Sequence, residues 1–310
     1  MARSMQESLA DTDTKAVPTA FRERRLYGVV LITMSTVMWS SAGFFVRELN
    51  MDVWSTVAWR SLFGFVLLFP MAFILRGRAL LRVRESIGVG GLLSIPLMAV
   101  SVFGYVQALQ LTSVANVMVV YATVPFLAAG LAFVVLGERP GLRSLCAAGV
   151  AVTGVVIMAG SATSMSDLAG NCFAFIMTLG FAASMVIARR WTGYDAMLVT
   201  ALSSAFGAVV CFGAAFATMP VVPLPTMTQL ALLFVFSLAT QSVSYLFFLE
   251  GSRHVPSSEA GLITLLDVVL GPLWVWLVFG EKPGTPALIG GALVLLAVVG
   301  YLAAPRGRAA

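Results

Sequence analysis

The sequence predicts an all-α integral membrane protein: ten transmembrane helices forming two five-helix inverted repeats, with both termini cytoplasmic. Three observations predict it. Of the 310 residues, 59% are apolar and 11% charged, against about 45–50% and about 25% in soluble domains. That excess of apolar surface has to face hydrocarbon. The chain also repeats itself: Gly137-Glu138-Arg139-Pro140-Gly141 returns as Gly280-Glu281-Lys282-Pro283-Gly284, an offset of 143 residues. Finally, the few basic residues are distributed asymmetrically about the apolar runs.

The runs come in order. Residues 1–25 are a polar tail carrying Lys15, Arg22, Arg24 and Arg25, and the run that follows is too long for the core of a cleavable signal. Apolar runs then occupy 26–46, 53–75, 86–107, 114–136, 142–160, 168–188, 195–218, 227–250, 257–279 and 285–304. Each is long enough to span a bilayer, which takes about 20 residues. Arg76-Gly77-Arg78, Arg139-Pro140-Gly141 and the stretch from Pro220 to Pro225 separate neighbours clearly. Only Gln110-Leu111-Thr112-Ser113 parts the third run from the fourth, so hydropathy alone allows nine helices or ten.

The repeat decides for ten. At the same offset Ala58, Ser61, Phe63, Gly64, Val66, Phe69, Ala72 and Phe73 match Ala201, Ser204, Phe206, Gly207, Val209, Phe212, Ala215 and Phe216. Ser94, Val100 and Ser101 match Ser237, Val243 and Ser244, and Arg47 matches Arg190. The chain thus divides into a cytoplasmic tail (1–25), a first repeat (26–161), a second repeat (168–304) and a short tail (305–310). Five helices per unit make the second copy enter from the opposite side. With the N-terminus inside, only Arg47 and Lys282 fall in outer loops and Arg60 in a helix. The remaining sixteen of the nineteen basic residues, among them Arg3, Arg78, Arg82, Arg306 and Arg308, lie inside.

Several function classes drop out. No room remains for a soluble domain, and the net charge of +5 reports topology, not nucleic-acid binding. Cys146, Cys172 and Cys211 lie in apolar runs without metal or redox spacing, so no metal or cofactor is expected. Protease, esterase and phosphate-loop signatures are missing, and His254, the only histidine, sits at a cytoplasmic helix end. Glu138 and Glu281 read as structural, each just before a proline that can open the next helix and there accepting its free N–H groups. Two equivalent inverted halves instead point to a carrier whose central site opens to each side in turn.

Polar residues within the spans are the candidates for that site. Ser94, Met98, Ser101 and Tyr105 share one face of the third helix; Ser237, Gln241 and Ser244 form the repeat-related face of the eighth, with Tyr245 beside it. They read either as a substrate wall or as helix packing through small residues. Trp39, followed by Ser40-Ser41-Ala42-Gly43, lies deep in the first helix, where a ring can stack on a substrate or simply pack. Trp54, Trp191 and Trp276 read as interfacial anchors. Arg60, Glu259 and Asp267 are ionisable residues inside spans. Arg60 can meet a carboxylate and Asp267 an ammonium group or a coupling proton; alternatively Arg60 pairs with Asp267 or Glu259 as a structural bridge.

Trp39-Ser40-Ser41, Arg60, the two Gly-Glu-Arg/Lys-Pro elements and the segment from Leu265 to Trp276 resemble the drug/metabolite transporter superfamily, EamA type, over all ten helices. Within it the chain resembles the YddG-type amino-acid exporters. The resemblance implies a basket of helices around a cavity lined by the first four of each half, with the fifth and tenth peripheral. It implies Trp39, Ser40, Tyr105, Gln241 and Tyr245 in that cavity. It further implies export of amino acids, aromatic and other neutral ones favoured, across a bacterial inner membrane. Drugs or other small metabolites are the alternative cargo, and a membrane enzyme or scaffold the more distant one.

Overall fold

The computed structural model describes residues 19–77, 83–160 and 164–303. Both tails and the stretches 78–82 and 161–163, and with them Arg3, Lys15, Arg78, Arg82, Arg306 and Arg308, lie outside the described residues. Everything regular within those residues is helical, without strands. Among the described residues nine helices are long and apolar enough to cross a membrane: Glu23–Leu49, Val53–Leu75, Ser86–Leu111, Val114–Leu136, Leu142–Ala159, Met165–Arg190, Ala196–Thr218, Met227–Gly251 and Glu259–Phe279. We number them as spans one to nine. A shorter apolar helix, Thr285–Tyr301, follows as the last helix. Large apolar side chains cover the outside, Ile74 at 80%, Val134 at 78% and Leu142 at 77% exposure, which only a hydrocarbon solvent stabilises.

Local chemistry explains where spans stop. The weak boundary between the third and fourth spans is made by Ser113, whose Oγ accepts from Asn116 N (3.2 Å) and caps the fourth, a contact worth about 1 kcal/mol. Asp52, Ser164 and Asp195 cap the second, sixth and seventh in the same way. Thr226 and Gln229 form a reciprocal capping box on the eighth.

The repeated Gly-Glu elements do something other than the sequence suggests. Gly137 (φ 72°) and Gly280 (φ 69°) close the fourth and ninth spans in the left-handed conformation that only glycine adopts without cost. The next N–H turns back in each case, from Glu138 to Ala132 O and from Glu281 to Val275 O, both 3.4 Å. They are therefore C-terminal caps. Pro140 and Pro283 lie outside the helices that follow, which start at Leu142 and Thr285.

Besides a kink at Gly88 near the start of the third span, four spans are interrupted within their length. The first breaks at Ser41, between Thr19–Ser40 and Ala42–Leu49. The fourth breaks between Tyr121 and Val124, and the ninth at Leu265, between Thr264 and Leu266. Ala122 and Leu265 are equivalent under the 143-residue offset. The eighth contains a π-helical stretch, Leu238–Val243, whose repeat-equivalent in the third span holds Pro96. Both devices disturb the i to i−4 hydrogen-bond ladder.

Packing follows the same symmetry. The third span packs on the sixth and the eighth on the first, the third on the seventh and the eighth on the second. The second packs on the seventh, the fourth on the ninth, and the fifth on the last helix. All of these run between the two halves of the chain, which interleave instead of forming separate bodies.

Candidate functional site

Arg60 is the deepest charge. It projects from the second span at 5% exposure, held by one helical stretch of the eighth. Ser237 Oγ donates to the Arg60 carbonyl (2.7 Å), Thr240 Oγ1 accepts from Nη2 (3.3 Å), and the guanidinium carbon stands 4.5 Å from the Phe236 ring centroid. The π turn begins directly after Ser237, and its extra residue rotates Thr240 and Gln241 towards the second span. There Gln241 lies over Gly64, where a Cβ would collide with its amide. Arg60 Nε and Nη1 remain buried without a partner, as do Gln241 Oε1 and Ser94 Oγ.

Asp267 is the second buried charge, at 8% exposure with Oδ1 unpartnered. It sits in the first turn after the break in the ninth span. Tyr121 stands at the last residue before the break in the fourth. Tyr105 lies within electrostatic range of both Arg60 and Asp267, and Tyr121 within range of Asp267. The site thus groups a cation, a carboxylate and two phenols, drawn from the second, ninth, third and fourth spans. Arg60 and Asp267 form no ion pair with each other.

The remaining candidates divide. Trp39 packs its ring 5.3 Å from Phe248 and belongs with an aromatic wall at the first and eighth spans. Ser40 is a bridge: its Oγ accepts from Trp274 Nε1 (2.9 Å) and donates to Val37 O (2.8 Å), tying the first span to the ninth. Ser101 donates to Leu97 O within its own helix and lies against Gly180, so packing is its observed role. Ser244 is fully buried, and its carbonyl accepts from Ser35 Oγ (2.8 Å). Met98 is half-buried, and Tyr245 packs with Leu68 and Met197.

One expectation is corrected. Glu259 is not an internal charge: it begins the ninth span and bridges Arg25 (2.9 Å), the two side chains 37% and 54% exposed. A surface bridge contributes about 0–1 kcal/mol, so Glu259→Gln should shift thermal unfolding by less than that and leave uptake intact. A large loss of either would return Glu259 to the site. Trp54, in the first turn of the second span, stacks on Phe103 with centroids 4.6 Å apart. His254 is half-buried, contacting Glu250 (3.2 Å) and the Tyr27 ring. Sequence reasoning missed Tyr121, Thr240 and Phe236. Tyr121 was findable as the tyrosine next to the Ala-Thr break; Thr240 was not, because only the π turn brings it to Arg60.

Comparison with known proteins bears on all of this. The model of the EamA-like transporter family matches the chain twice, at residues 26–160 and 168–303. An uncharacterized transporter of Archaeoglobus fulgidus is 25% identical over 283 residues, covering 88% of this chain and 95% of that protein. A solved crystal structure, described only as that of a protein, matches with a TM-score of 0.62 at 17% identity. It covers 89% of this chain and 96% of its own, and shows a shared fold.

Proposed function

The chain belongs to the EamA-like transporter family, and on that premise we propose that it exports amino acids from the cytoplasm by alternating access. It is a multi-pass membrane transporter of a small molecule. The substrate class rests on one observation: Arg60 and Asp267 are both buried, neither has an ionic partner, and Tyr105 lies within electrostatic range of both. Burying one unpaired charge is costly. Retaining two of opposite sign suits a substrate that carries both complements. An amino acid does: its carboxylate would take Arg60 Nε and Nη1, its ammonium Asp267 Oδ1, and its side chain the wall of Trp39 and Phe248.

The ten-span topology with cytoplasmic termini belongs to the same reading, as does a bacterial inner membrane. The last helix, at 17 residues, would reach about 26 Å at 1.5 Å per residue, close to the hydrocarbon thickness of about 30 Å. The doubled family match, the paired breaks at Ala122 and Leu265 and the symmetric packing support two inverted halves. Because those halves interleave, the exchange between states is assigned to bending at the four interrupted spans, not to rocking of two rigid bodies.

Counterflow in proteoliposomes tests the reading. Vesicles preloaded with unlabelled amino acid should accumulate labelled phenylalanine, leucine or threonine above protein-free controls. Absence of counterflow with every amino acid, while an amphipathic drug or other metabolite exchanges, would transfer the site to that cargo.

A further inference from the structure

The two ends of the bundle are closed differently, and two repeat-related glutamates mark the difference. At one end Glu281 joins three parts of the chain. Its Oε2 accepts from Arg47 Nε (3.0 Å), at the end of the first span, and its Oε1 from Val114 N (2.9 Å), the first residue of the fourth. Arg47 Nη2 also donates to the Thr112 carbonyl (2.9 Å). The pair is three-quarters buried, the side chains 27% and 23% exposed.

Under the 143-residue offset Glu281 becomes Glu138, Arg47 becomes Arg190 and Val114 becomes Ser257, the first residue of the helix that leads into the ninth span. Yet Glu138 makes a different contact. Both of its oxygens accept from Arg189 Nη2 (2.6 and 2.8 Å), with the side chains 59% and 48% exposed. Arg190 stands over the Trp191 ring instead, at 5.8 Å. One element is drawn into the protein, and its twin lies at the surface.

The apolar packing of the first, second, seventh and ninth spans divides in the same sense. At the Glu281 end, Leu49, Val57, Leu109, Val114, Leu233 and Val275 belong to one continuous cluster. Towards the Glu138 end the packing of the first, second, seventh and ninth spans separates into two clusters. One joins Ile32 to Val255 and Ala260; the other joins Leu68 and Ala72 to Met197, Leu198 and Ala201. In this state the Glu281 end is therefore the more tightly tied of the two, and in the topology given above the Glu138 end faces the cytoplasm.

We propose that Glu281 and Glu138 are alternating latches of the transport cycle. In the present state Glu281 is engaged and Glu138 released. In the opposite state Glu138 takes the first N–H groups of the ninth span together with Arg190, and Glu281 swings out to solvent. A carboxylate on a helix N-terminus is favoured by the unpaired N–H groups and the helix dipole. An arginine completes a charge-assisted contact that is worth more when water is excluded. Each latch can then hold one end shut without blocking the other state. The proposal rests on the transporter reading but not on any substrate.

The test reads the state directly. Cys146, Cys172 and Cys211 are replaced by serine, Met98→Cys is introduced as reporter, and labelling by a membrane-impermeant thiol reagent is timed from each side of oriented vesicles. Glu281→Ala should raise the ratio of labelling from the Glu281 side to that from the Glu138 side by about fivefold or more, the lower end of typical coupling between states. Glu138→Ala should lower it, and the double variant should return towards the parent ratio. A merely structural cap at Glu281 gives no opposing effect at Glu138, so shifts of both variants in one direction would overturn the proposal. So would an unchanged ratio in a Glu281→Ala protein that stays monodisperse. No amino acid enters the measurement, so failed counterflow and a failed latch are separate results.

Discussion

Exchanging Arg60 for methionine should abolish counterflow while leaving the protein at least as stable as the parent. Methionine keeps most of the unbranched stem, and it removes a charge that is 5% exposed with two unpartnered nitrogens. Replacing a buried charge by an apolar side chain of similar size is neutral or stabilising by about 1–4 kcal/mol. Here the guanidinium lacks even an ionic partner to offset its desolvation. Its lost contacts are one hydrogen bond to Thr240, at a long 3.3 Å, and the stacking of the guanidinium over Phe236. Against this, a charge-assisted bond to a substrate carboxylate is worth about 1.5–3 kcal/mol, which corresponds to a loss of roughly 10- to 150-fold in affinity.

Opposite signs for stability and transport are what distinguish a binding charge from a structural one. The chemistry can be divided further. Amine analogues without a carboxylate should be insensitive to Arg60→Met and sensitive to Asp267→Asn; carboxylates without an amine should show the reverse. Thermal unfolding in detergent and counterflow with the three ligand types measure both halves. Normal amino-acid exchange by Arg60→Met would remove Arg60 from the site. A protein that unfolds on this change would make it structural.

The residues that carry the site are also those that break the repeat. Arg60, Tyr105 and Asp267 are equivalent at the 143-residue offset to Ser203, Phe248 and Val124, and Trp39 to Ala182. The scaffold, by contrast, obeys it: Gly137 with Gly280, Ala122 with Leu265, Ser94 with Ser237. That is why the scaffold was legible in the sequence. Its determinants are local, namely apolar run length, a glycine that accepts positive φ, and identities at a fixed spacing. Asymmetric charges within apolar runs could be singled out too, since hydrocarbon makes each of them conspicuous. What they touch could not. The separation of Arg60 from Asp267, the pairing of Glu259 with Arg25 and the reach of Glu281 to Val114 are contacts between elements about 165–235 residues apart. The π turn that delivers Thr240 to Arg60 has no sequence signature, because a single added residue in the ladder is set by packing against the second span.

Gly290→Leu should remove most of the folded protein, the largest stability effect expected from one substitution. The fifth span and the last helix meet backbone to backbone. A Cβ built on Gly154 lies 2.6 Å from the Gly290 carbonyl oxygen, and one on Gly290 would collide with the Gly154 carbonyl in turn. Helices in a bilayer gain little from the hydrophobic effect when they associate, because lipid tails are as apolar as their own side chains; close packing through small residues has to hold them. A leucine here pushes backbones apart along the whole contact, at the upper end of the about 1–3 kcal/mol of overpacking in a rigid core. Gly149, on the same span, has open space around its Cβ direction, so Gly149→Leu should be silent. The yield of monodisperse protein after detergent extraction reports the difference, and equal yields for the two variants would refute it. Counterflow per folded molecule then separates two roles for this contact. It should be unchanged in whatever Gly290→Leu protein survives if the fifth span and the last helix only brace the bundle. A lower value in that folded fraction would mean that the contact moves during the cycle, placing a symmetric pivot where the resemblance implies only packing.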